Sequence, residues 1–85
     1  MEAILKIVDK LIDKFVLPMD DDIMEYHITS YDEFIEITFW MSGSEQEVEE
    51  EIVSECKSVL GMLGSIPYKF IFRFTTDGDS YYNYY

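Results

Sequence analysis

The sequence predicts an α+β fold: a two-layer sandwich of order αββαβ(β), with two helices packed on one face of a small, mainly antiparallel sheet. Three observations predict it. Apolar residues recur at three- and four-residue spacing over 2–16 and again over 48–63, the period of a helix with one buried stripe. They alternate with polar residues over 23–29, 34–41 and 68–75, the period of a strand with one buried face. Short runs rich in Asp, Ser, Gly and Pro separate these segments.

The 85 residues are read as a single domain, 1–85. Chains this short bury only about 60–65% of their unfolded surface, so the core must be dense. With 48% apolar and 16% aromatic residues, a core forms without covalent staples, and the low hydrophobicity of a disordered chain is excluded.

In chain order, the first helix is expected over 2–16, with Ile4, Leu5, Val8, Leu11, Ile12 and Phe15 inward. Lys6, Lys10 and Lys14 lie along one flank beside Asp9 and Asp13, and each pair contributes about 0.2–0.5 kcal/mol. Pro18 is expected to stop this helix, because proline disfavours helical angles at Leu17 before it. Asp20, Asp21 and Asp22 form a polar loop.

The first strand should then turn Met24, Tyr26 and Ile28 inward. A tight turn at 30–33 leads to a second strand with Ile35, Ile37, Phe39 and Met41 inward, so the two form a hairpin. Ser44 and Glu47 have capping-box spacing at the start of the second helix. Its buried stripe is Val48, Ile52, Cys56, Val59, Leu60 and Leu63, with Gly61 and Gly64 at its end. The third strand turns Phe70, Phe72 and Phe74 inward. Asp77-Gly78 is a turn dipeptide, and 76–85 is read as a short edge strand or a flexible tail.

Residue chemistry argues against catalysis. His27 is the sole histidine and Cys56 the sole cysteine, and Cys56 falls on the inward stripe of its helix. No zinc-ligand spacing is present, and the Asp20–Asp22 loop fails the calcium-loop pattern, with Met24 at position 5 and Tyr31 at position 12. No cofactor or metal is expected. Lys69-Phe70-Ile71-Phe72-Arg73-Phe74 interleaves bases with aromatics, but the acidic surroundings oppose phosphate binding, so it is read as a core strand. The lone cysteine allows no intrachain disulfide. The start of the chain has no leader pattern, and no apolar run reaches about 18 residues. The expected setting is cytoplasmic, away from membranes.

Charge carries the functional expectation. The formal net charge is −12. Residues 1–18 and 56–85 are near neutral, whereas 19–55 hold thirteen acids and no Lys or Arg. Such a field repels nucleic acid and attracts basic proteins. The expected function is a non-enzymatic acidic binding module. It inhibits a basic, nucleic-acid-handling protein by charge complementarity or by imitating nucleic acid. Glu47 and Glu51, one helical turn apart, present carboxylates about 6 Å apart along the axis. The expected contact residues are Asp20, Asp21, Asp22, Glu25, Glu36, Trp40, Glu47, Glu50, Glu51 and Glu55. In this composition, small and acidic without catalytic residues, the chain resembles phage-encoded inhibitors and toxin-immunity proteins. The alternative is a structural protein that forms homodimers or larger assemblies through its exposed sheet face and Tyr-rich tail.

Overall fold

A computed structural model describes residues 2–19, 21–43, 46–64, 68–76 and 80–84, with the backbone alone described for residues 2 and 80–84. The chain runs α1 (Glu2–Leu11), β1 (Ile23–Ser30), β2 (Phe34–Met41), α2 (Gln46–Gly61), β3 (Lys69–Thr76) and β4 (Ser80–Tyr84). One four-stranded sheet has the order β1-β2-β3-β4. The β1/β2 and β3/β4 pairs are antiparallel and the central β2/β3 pair is parallel. The parallel pair follows from α2, which carries the chain from the end of β2 back to the start of β3. The last strand therefore takes the edge-strand form of the two read from the sequence. Ser44 of the capping box, Asp20, and the Asp77-Gly78 turn lie outside the described residues.

The core lies between the helices and one sheet face. Ile35, Ile37, Phe39 and Met41 of β2 and Phe72 and Phe74 of β3 meet Val8, Ile12, Ile52, Val53, Cys56 and Leu60. Phe39 and Phe74, on neighbouring strands, stack with ring centroids 5.3 Å apart. The hairpin closes with the Tyr31 amide donating to the Phe34 carbonyl at 2.8 Å. Beyond α2, Gly64 takes a left-handed φ of +78°, a conformation that glycine adopts without a Cβ clash.

Three details depart from the sequence expectation. First, helical backbone does not stop before Pro18. A π turn (Ile12–Val16) and a 3₁₀ turn (Leu17–Met19) extend it, and Leu17 keeps helical angles of φ −54° and ψ −45°. The wide turn is closed by the Leu17 amide donating to the Ile12 carbonyl. Each residue there advances by less than the ~100° of an α-helix. Val16 is therefore brought under Val8 and Ile12 and is fully buried, while Phe15 is rotated outward and is 40% exposed beside the Lys14 ammonium.

Second, Met24 is not inward. A β-bulge lies between Ile23, which pairs with Met41, and Glu25, which pairs with Trp40. Met24 is the extra residue and is 70% exposed, and Ile23 packs against the core in its place. Third, the inward side of α2 includes Val53 and a carboxylate, Glu49, which is only 2% exposed and is engaged there. Glu49 lies three, four and seven residues before Ile52, Val53 and Cys56, which is the middle of the stripe.

These placements set a stability prediction. Met24→Ser and Phe15→Ser should each change the unfolding free energy by less than about 1 kcal/mol, as surface substitutions do. Ile12→Ala should cost about 2–5 kcal/mol by leaving a core cavity. Urea titration monitored by circular dichroism measures all three. Equal losses at Met24 and Ile12 would contradict the bulge.

Candidate functional site

The acidic residues of 19–55 do not form one surface. Asp21 and Asp22 are exposed just before β1. Asp22 is tied to the end of β2: its carbonyl accepts the Ser42 amide at 2.8 Å, and its Oδ1 accepts the Ser42 hydroxyl at 3.0 Å. Four residues after Ser42, α2 begins, and its first turns expose Glu47, Glu50 and Glu51. Gln46 Nε2 donates to Glu50 Oε1 at 3.2 Å, which aligns that carboxylate along the helix. Glu55, farther along, is half-buried, and the first base on this helix is Lys57. Helix α2 thus places acid at the end of the molecule where Asp22 is anchored.

The other acids lie elsewhere. Asp32 and Glu33 are in the β1–β2 turn, at the far end of β1 from Asp22. Eight strand residues separate them, a span of about 27 Å at 3.4 Å per residue. Glu25, Glu36 and Trp40 are on the outer face of the sheet, away from the helices. Glu36 is not an open carboxylate. Its Oε1 pairs with Arg73 Nη1 at 3.2 Å and accepts the Thr38 hydroxyl at 3.3 Å, and its side chain is 14% exposed.

The outer face also holds His27, 3.5 Å from Glu25 and edge-on to Trp40 with centroids 4.8 Å apart. Tyr31 and Phe34 stack at 4.5 Å near the hairpin turn. The charges on the described strands of this face, Glu25 and Glu36 against Lys69 and Arg73, cancel. The sheet therefore separates a neutral, aromatic face from an acidic helical end.

The groups with reactive potential are not brought together. Cys56 is fully buried on the helical side, whereas His27 is exposed on the outer face. Burial, with a smaller push from the Glu55 carboxylate, raises the Cys56 thiol to about 12. The neutral thiol is therefore the native form. The folded protein should resist thiol-specific reagents at pH 8 and react once unfolded. A raised folded-state pKa also means that native protein holds its proton longer. This contribution to stability is complete below about pH 9 and is lost as pH rises toward 12. A second group acts in the same direction: burial first, then the Asp9 carboxylate that accepts its hydrogen bond, hold the Tyr26 hydroxyl well above the ordinary phenol range. Denaturant midpoints measured from pH 8 to pH 11 should therefore fall.

Among the described residues, no group of three or more His, Cys, Asp or Glu is arranged to hold a metal ion. None of the helices is long and apolar enough to cross a membrane among these residues. The sequence reading missed the burial of Glu49 and the pairing of Glu36. Helical spacing alone contains the first. The second needs the β2/β3 register, which sets Glu36 beside Ile71 and Thr38 beside Arg73. No protein-family model matches this chain, and no curated protein or solved structure is significantly similar to it.

Proposed function

We propose that this chain is a non-enzymatic, cytoplasmic binding module that inhibits a basic, nucleic-acid-handling protein. The observation that carries the reading is the concentration of exposed carboxylates at Asp21, Asp22, Glu47, Glu50 and Glu51 within a segment free of Lys and Arg. Carboxylates a helical turn apart, about 6 Å along the axis, suit a site built for successive phosphates. Opposite charge also steers encounter and raises association rates. Within the residues first expected at the contact, the geometry favours the helical end. Glu36 is neutralised by Arg73, and Glu25 and Trp40 face the other way.

The test is capture from a lysate on immobilised protein at low and high salt, with duplex DNA or RNA as competitor. The reading expects a basic nucleic-acid-binding protein that is retained at low salt, released at high salt and displaced by duplex. Capture insensitive to both salt and duplex contradicts it. The alternative, a structural protein that assembles with itself, is supported by the neutral outer face, which no described element covers.

A further inference from the structure

The strand β1 forms one edge of the sheet, and its hydrogen-bonding pattern can be read from the hairpin. Tyr31 and Phe34 are a hydrogen-bonded pair, so the bonded pairs continuing into the sheet are Thr29/Glu36, His27/Thr38 and Glu25/Trp40. The amides and carbonyls of Glu25, His27 and Thr29 thus point toward β2. Those of Tyr26 and Ile28 point the opposite way, off the sheet. Among the described residues, no backbone hydrogen bond is made to this outer edge. The same residues open onto a groove of about 530 Å³ between the strand and α1, lined by Leu5, Lys6, Asp9, Tyr26, His27 and Ile28. Tyr26 spans its floor, with its hydroxyl donating to Asp9. The bulge at Met24 protects one end of the strand, and the middle of the strand keeps a regular register along the sheet edge.

We infer that this edge pairs with β1 of a second copy of the chain, antiparallel about a two-fold axis at His27, joining two sheets into one of eight strands. The inference uses a different surface from the acidic end and stands apart from the proposed inhibition. The register is self-complementary. Centred on His27, it sets Tyr26 opposite Ile28 of the second copy and Ile28 opposite its Tyr26, so the outward groups of each pair exchange both backbone bonds. Charge selects a copy over a basic partner. Residues 1–18, whose helix walls the groove, sum to zero, with exposed Lys6 and Lys10 beside exposed Asp9 and Asp13. A basic chain finds no acidic excess here. A second copy meets alternating signs here, so the contact itself adds no like-charge excess to the repulsion between two chains of −12, and that remaining repulsion is screened as salt rises.

The experiment combines sedimentation equilibrium over a wide protein concentration range with amide exchange resolved by NMR. The expected result is a dimer that persists in high salt, with the Tyr26 and Ile28 amides protected as well as those of His27 and Thr29. Two variants then separate pairing from folding. Ile28→Pro removes an outward donor while leaving the β1/β2 bonds intact. His27→Lys changes an exposed side chain and sets two cations face to face across the axis. Both should be folded by circular dichroism and monomeric. The inference is overturned by a monomer at every concentration, by a dimer that survives both variants, or by protection of Tyr26 and Ile28 only when another protein is added. None of these outcomes bears on binding by Asp21, Asp22, Glu47, Glu50 and Glu51, which salt-dependent capture reads separately.

Discussion

Reversing Glu47, Glu50 and Glu51 to Lys together is expected to weaken binding of a basic partner by at least ~100-fold at low salt, about 2.7 kcal/mol. Three exposed carboxylates on the first turns of α2 become three cations, so attraction turns to repulsion, and like-charge contact across an interface costs several kcal/mol. The loss should shrink as salt rises toward molar concentrations, where the screening length falls to about 3 Å. Folding is the necessary control. Only Glu47 of the three lies in the first turn of the helix, where a positive charge costs about 0.3–1 kcal/mol, while the net charge falls in magnitude from −12 to −6. Titration calorimetry with the captured partner, at two salt concentrations, measures the effect. Unchanged affinity would remove the acidic helix from the contact. Reversing Glu25 to Lys, on the far side of the sheet, should leave this binding nearly intact.

Phe39→Ala is expected to be the most damaging single truncation. Phe39 is fully buried near the middle of β2, stacks on Phe74 at 5.3 Å, and lies against Tyr26 at 6.4 Å. Losing the ring removes contacts to β3 and β1 together. The expected cost is about 3–5 kcal/mol, against a total stability of about 5–15 kcal/mol that small domains approach from below. At about 4–8 °C per kcal/mol for this size, the thermal midpoint should fall by tens of degrees. Thermal unfolding followed by circular dichroism reads it. A fall of only a few degrees would mean that β2 is not the centre of the core.

The inside of the fold was legible because periodicity is local. Ile35, Ile37, Phe39 and Met41 alternate, and the same four are buried. Ile52, Cys56, Val59 and Leu60 keep helical spacing, and the same four are buried. The candidate site was less legible. Charge is visible in sequence, but which carboxylates share a surface depends on which layer each residue faces. Glu36 and Glu47 are equivalent as letters. One is held by an arginine on the next strand, and the other is open to solvent.

By itself, then, the sequence determined the two-layer α+β arrangement, the element order through the third strand and a 37-residue zone, 19–55, with thirteen acids and no base. Spacing and composition suffice for these, since each depends only on neighbours along the chain. The tertiary structure decided the rest. The π turn that exchanges Phe15 for Val16, the bulge that expels Met24, and the parallel β2/β3 register that pairs Arg73 with Glu36 all arise where distant segments must fit together. The same packing divides the acidic zone among a helical end, the β1–β2 turn and a neutral sheet face; Glu25 and Glu36 fall on that face because a sheet buried on one side sends alternate residues in opposite directions.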